Sequence, residues 1–164
     1  MSLSPGVHSV LVTPFAADES LDEASIRTLV DYYVAAGVAG VLALGVLGEA
    51  DKVSDAERER VQGAVLEQAD GRVQVTVGIS APSTALAVDR GLAAARAGAG
   101  AVMVAPPAES VAGPALRDHY RRIGEHVGVP VVVQDLPSTG RRTPPIEGRS
   151  WTTTGSPTRS PMRL

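Results

Sequence analysis

The sequence predicts an α/β fold in which strands of a parallel sheet alternate with helices. Three observations carry that expectation. Short apolar runs alternate strictly with amphipathic segments, in the order β-α-β-α-β-α-β-α-β. Each β-α repeat takes about 30 residues, the length of a strand plus a crossover helix. One run, Val38-Ala39-Gly40-Val41-Leu42-Ala43-Leu44, is apolar throughout, as a strand covered by helices on a buried sheet must be.

The elements follow in chain order. Val7 to Thr13 reads as a strand stopped by Pro14, because proline ends a ladder. Ser20 and Glu23 have capping-box spacing. Behind them Ile26, Leu29, Val30, Tyr33 and Val34 repeat on one helical face, and Gly37 ends that helix. The apolar run follows as strand two. It closes in Gly45-Val46-Leu47-Gly48-Glu49, a glycine-bracketed turn that lets the backbone approach a ligand. Ser54 and Glu57 form a second capping box, with Val61, Val65 and Leu66 behind it and a stop at Asp70-Gly71. Strand three spans Val73 to Ile79. Ser83 or Thr84 caps a third helix, through Leu86 and Leu92 to Gly98. Strand four is Ala101 to Ala105, cut off by Pro106-Pro107. A fourth helix follows Pro114, with Leu116, Tyr120, Ile123 and Val127 on one side. Strand five is Pro130 to Asp135.

Two architectures satisfy this order: an open doubly wound sheet, and the first part of a (β/α)8 barrel, which takes about 250 residues when complete. The chain has 164 residues, one ordinary domain. After about Pro145 the pattern changes. Residues 146–164 are rich in Ser, Thr, Arg and Pro, a composition unsuited to burying a core. The chain therefore divides into 1–145, the folded part, and 146–164, expected to be disordered or translated out of frame from a longer gene.

Composition removes several classes of function. A formal net charge of -3 argues against a general nucleic-acid binder. Cysteine is absent, so neither a disulfide framework nor a thiolate metal site exists. His8, His119 and His126 lack the spacing of a metal pair, and no metal or cofactor is expected. No leader or membrane-spanning run is visible. A soluble cytoplasmic protein is the default expectation.

In α/β folds ligands bind past the carboxyl ends of the strands, so the Gly45–Glu49 turn is the first candidate site. Glu49 has two readings, a general base or a loop-holding acceptor. Gln134 and Asp135 end strand five on the same side, and Asp135 either moves protons or bonds the turn before Pro137. Lys52 is the only lysine. A Schiff base needs an amine with depressed pKa in an apolar pocket, whereas Lys52 lies beside Asp51 and reads as a solvated loop residue. Arg121-Arg122 and Arg141-Arg142 read as solvated pairs, with a carboxylate clamp as the alternative for the second pair.

Four stretches carry a family resemblance from about Gly6 to Gly140. They are Val10-Leu11-Val12-Thr13-Pro14-Phe15; the Gly45–Glu49 loop followed by Ser54, Glu57 and Arg58; Gly71 to Gly78; and the strand before Leu136-Pro137-Ser138-Thr139-Gly140. In that order they resemble the dihydrodipicolinate synthase / N-acetylneuraminate lyase family of class I pyruvate-dependent aldolases. The resemblance implies a partial (β/α)8 TIM barrel, about the first five strands and four helices, followed by an irregular tail. It also implies homo-oligomers and a Schiff base between pyruvate or another 2-oxo acid and a lysine on strand six.

The departures from the family pattern bear on function. Val46 and Leu47 replace the two threonines of the family's G-T-T-G-E loop, so no side-chain hydroxyl meets the substrate carboxylate. Pro106-Pro107-Ala108 stands for P-Y-Y. Gln134-Asp135 stands for Y-N, so an amide replaces the proton-shuttling tyrosine. By resemblance, Gly45, Val46, Leu47, Gly48, Glu49 and Pro137 bind substrate, Gln134 occupies the tyrosine position, and the catalytic set is incomplete. The expected function is a carbon–carbon lyase whose reactive lysine is missing from this chain. The alternatives are a non-catalytic remnant that self-associates through unpaired barrel edges, and a flavodoxin-like binding module.

Overall fold

A computed structural model describes residues 3–107 and 113–134, together with the backbone of 151–154. The elements are β1 (His8–Val10), α1 (Glu23–Ala35), β2 (Gly40–Ala43), α2 (Asp55–Ala69), β3 (Gln74–Gly78), α3 (Thr84–Arg96), β4 (Ala101–Val104), α4 (Pro114–His126), β5 (Val131–Gln134) and β6 (Trp151–Thr154). The strands form one sheet in sequential order, β1-β2-β3-β4-β5-β6, and every pairing is parallel. Sequential order excludes the doubly wound alternative, whose first strand lies inside the sheet. The partial barrel expected from the sequence is the architecture observed.

The sheet separates two apolar layers by strand parity. Val41, Ala43, Val75, Val77, Val102, Val104, Val131 and Val133 face the helices and join Ile26, Val30, Val61, Val65, Leu116, Tyr120 and Ile123 in the main core. Leu42, Met103 and Val132, on the opposite face, form a second cluster with Leu3 and Val10 against it. A partial barrel that lacks further strands would leave this inner face open. Instead Leu42, Met103 and Val132 are only 8%, 5% and 4% exposed. Leu3 and Val10 pack against these three residues on that face.

Two local expectations are corrected, at the start of α1 and at Trp151–Thr154, and packing settles which face of α3 turns inward. Ser20 does not cap α1. Its hydroxyl bonds the Asp18 carboxylate, and Asp22 accepts from the Ser25 N–H instead, because Leu21 is held in a bridge to Phe15 and the helix starts beyond it. In α3, Leu86 and Leu92 are only half buried, and Ala87, Gly91 and Ala94 face inward. A Cβ on Gly91 would meet Val127 Cγ2 at 2.6 Å, so close packing selects small residues over large ones. Finally, Trp151–Thr154, inside the stretch expected to be irregular, pairs with β5 in the register Val131↔Trp151 to Gln134↔Thr154. Aromatic and β-branched residues favour strands, and the edge of β5 offers them a ladder; threonines simply escape a search for apolar periodicity.

Other expectations hold. Ser54 and Glu57 make a complete capping box on α2, Ser83 caps α3, and Pro114 opens α4. Ala108, Asp135, the segment Leu136–Gly140 with Pro137, Arg141-Arg142 and the remainder of 146–164 lie outside the described residues.

Candidate functional site

The turn after β2 is a short helical winding. Gly48 N–H donates to Gly45 C=O at 3.0 Å, Glu49 N–H to Val46 C=O at 3.1 Å and Lys52 N–H to Glu49 C=O at 2.8 Å. The backbone enters through Leu44 at φ 56° and passes Glu49 at φ 53°, both left-handed. Among the described residues the N–H groups of Gly45, Val46 and Leu47 have no acceptor. Consecutive unused N–H groups at the start of a winding make a concavity for an anion.

Neighbouring strands support this turn. Gly78, at the end of β3, has no room for a side chain, since a Cβ would lie 1.9 Å from Leu44 C=O. Buried Thr13 donates its hydroxyl to Gly48 C=O at 2.6 Å. Arg58, buried on α2, donates to Ala50 C=O at 3.1 Å and to Gly78 C=O at 2.6 Å. Removal from water pushes the Arg58 guanidinium down to about 10.

A cleft of about 670 Å³ opens beside the turn, lined by Gly45, Val46, Ser80, Met103, Pro106 and Gln134 among others. The structure thus brings Gly45, Val46 and Gln134 together, as the sequence suggested. The Gln134 Oε1 is buried and has no hydrogen-bond partner among the described residues. Val46 and Leu47 are 63% and 59% exposed, so the residues standing for the family's threonines present apolar surface to solvent. Gly48 is buried in the wall of the turn, where a Cβ would sit 3.0 Å from Leu11 C=O.

The Glu49 side chain is half exposed. Its carboxylate takes the Lys52 ammonium at 2.7 Å, because left-handed Glu49 turns outward. Lys52 is 66% exposed at its side chain, and the bond to Glu49 raises its pKa. A Schiff base requires the neutral amine, so this environment works against nucleophilic use of Lys52. Arg121 pairs with Asp118 and Glu125 on the exposed side of α4. Among the described residues no three of His, Cys, Asp and Glu converge as a metal group, and no helix is long and apolar enough to cross a membrane.

Sequence reasoning passed over Thr13, Gly78 and the buried role of Arg58. Arg58 carried a usable signal, since it precedes Val61 and Val65 by three and seven residues and so shares their buried stripe. Thr13 and Gly78 carried none, because their partners are set by strand adjacency.

A parallel sheet of sequential strands, with a glycine-bracketed turn at the carboxyl end of its second strand, is part of a barrel of the (β/α)8 class. A sequence profile of the Dihydrodipicolinate synthetase family matches residues 3–147, and the chain belongs to that family. It is 42% identical over 137 residues to a DapA-like lyase of Halobacterium salinarum, covering 81% of this chain and 45% of the relative. It is 38% identical over 146 residues to a 4-hydroxy-tetrahydrodipicolinate synthase of Thermomicrobium roseum, covering 88% and 48%. Among solved structures it is similar to a prophage protein of the dihydrodipicolinic acid synthase family from E. coli K12 in complex with pyruvate. There the TM-score is 0.80 at 27% identity, covering 85% of this chain and 48% of that one. Dihydrodipicolinate synthase from Rhodopseudomonas palustris gives a TM-score of 0.77 at 38% identity, covering 83% and 46%. The chain spans about half the length of the curated relatives it matches.

Proposed function

We propose that this chain carries the carboxylate-holding wall of a Schiff-base-forming lyase acting on pyruvate or another 2-oxo acid, in the manner of 4-hydroxy-tetrahydrodipicolinate synthase. The reactive amine then comes from outside the chain. The observation that carries this reading is the pairing of three N–H groups, at Gly45, Val46 and Leu47, that have no acceptor among the described residues with an only lysine, Lys52, that is exposed and ion-paired. The backbone supplies anion-binding donors that Val46 and Leu47 side chains lack. Gly45, Val46, Leu47 and Gly48 form the substrate wall in this reading, and the family resemblance assigns Glu49 and Pro137 to the same substrate-binding set. Gln134, which does not ionise, cannot shuttle protons as a tyrosine would, so that role falls to Asp135 or bound water. The same chemistry needs no metal or organic cofactor, and a protein without cysteine suits the cytoplasm.

Incubation with pyruvate and borohydride tests the assignment of the amine. The expected mass is that of the unmodified chain. A reduced adduct on Lys52 would overturn it. DNA downstream of the Pro145 codon, read in three frames, is expected to encode a lysine-bearing strand out of frame. An uninterrupted frame ending in this same tail in close relatives would refute that origin.

A second reading, self-association, is favoured by the sheet order, which leaves β1 and β6 at open edges, and by exposed Val12, Phe15, Val46 and Leu47. Unpaired edges and apolar patches recruit further chains. Light scattering at tens of micromolar, roughly the range where such surfaces associate, is expected to give a dimer or larger species. A compact monomer would exclude this reading.

A further inference from the structure

We propose that Thr13 and Arg58 are positioning residues that lock the Gly45–Leu47 backbone into its anion-accepting conformation. The loop then holds a carboxylate by main-chain donors alone. The inference rests on the reading of this turn as the carboxylate wall and explains how it works without hydroxyls at positions 46 and 47.

The argument follows the peptide planes. In a trans peptide the C=O and the following N–H point in opposite directions. Thr13 fixes the Gly48 C=O from inside and with it the Gly48–Glu49 plane. The N–H of that plane donates back to Val46 C=O, which fixes the Val46–Leu47 plane and leaves Leu47 N–H aimed the opposite way. Gly48 N–H does the same for Gly45 C=O, and hence for Val46 N–H. Arg58 holds the far end of the winding through Ala50 C=O and ties it to β3 through Gly78 C=O. The Thr13 and Arg58 donors come from outside the turn, so the orientation is set before any ligand arrives. Pre-organisation of this kind raises affinity by removing the ordering cost from the binding step.

The test uses the full chain labelled for amide NMR, with pyruvate as the probe. Wild type is expected to shift the Gly45, Val46 and Leu47 amides, with half-saturation at about 10 mM or below. Thr13→Ser keeps the hydroxyl and is expected to match wild type. Thr13→Val is nearly the same shape without it, and is expected to bind roughly fivefold to tenfold more weakly, the effect of one lost hydrogen bond. Arg58→Lys, which reaches fewer carbonyls, is expected to weaken binding similarly and to speed exchange at Gly48 and Glu49 amides. Affinities are compared for the folded species, so a general loss of stability leaves them unmoved. Equal affinities for wild type, Thr13→Val and Arg58→Lys would overturn the clamp and leave the carboxylate wall standing. No amide shift in wild type would overturn the wall and the clamp together.

Discussion

Gly78 shows how one atom's absence shapes this molecule. The Leu44–Gly45 backbone crosses the end of β3 so closely that a Cβ on Gly78 would lie 1.9 Å from Leu44 C=O and 2.6 Å from its carbonyl carbon. Both obstacles are backbone and cannot swing aside. Gly78→Ala is therefore expected to displace the turn and destabilise the fold by about 2–4 kcal/mol, as overpacking at a rigid contact does. Urea unfolding at constant m-value measures it, and a loss below about 0.5 kcal/mol would mean that the crossing is looser than the structure shows. The same scale separates Glu49 from its neighbours. Its left-handed backbone directs the carboxylate to Lys52, so the most obvious acid of the turn lies in solvent beside a cation. Gln134, read as a site residue from its place at the end of strand five, does line the cleft.

Helices here are specified locally at their starts and globally along their faces. The α2 capping box satisfies the Ser54 and Glu57 N–H groups reciprocally, through the Glu57 carboxylate at 2.8 Å and the Ser54 hydroxyl at 3.3 Å. Ser54→Ala is expected to lower stability by about 1 kcal/mol. Because α2 carries Arg58, the variant is also expected to speed amide exchange in the turn that Arg58 holds. Hydrogen exchange confined to the first turn of α2 would separate the cap from the clamp. The starts of α2, α3 and α4 were legible because caps and Pro114 act within a few residues. The start of α1 was misplaced because the Phe15–Leu21 bridge, a tertiary contact, outranked the Ser20 signal. The inward face of α3 was not legible for a similar reason. Helix periodicity favours large apolar residues, whereas Val127 and Ile79 leave Gly91 no space for one.

At the scale of the whole molecule, buried polar groups link stability to pH. His119 is packed inside, its Nδ1 at 2.9 Å from Thr84 Oγ1 and its Nε2 buried with no hydrogen-bond partner among the described residues. Burial lowers its pKa below the ordinary 6.5. The unfolded chain then takes up a proton that the folded chain refuses. Stability is fully present above about pH 6.5 and is lost as pH falls below it. Wild type is expected to lose stability between pH 7 and 5 more steeply than His119→Gln. Parallel slopes would show that His119 charges without penalty in the folded chain.

The sequence by itself determined the alternation of strands and helices and the position of the glycine-bracketed turn, which depend on periodicity, caps and glycine spacing, interactions that span a few residues. The family and the partial barrel entered through the resemblance of four stretches in order, and the strand order of the sheet decided for the barrel over the doubly wound alternative. Only the tertiary structure decided that Thr13 and Arg58 support the turn, that Gly78 makes room for it, that Lys52 is spent on Glu49, and that Trp151–Thr154 joins the sheet. Those outcomes depend on partners 20 to 35 residues away in the chain, or on a backbone angle that no residue type announces. Strand adjacency creates such partners after the chain has closed upon itself, and local pattern cannot record them.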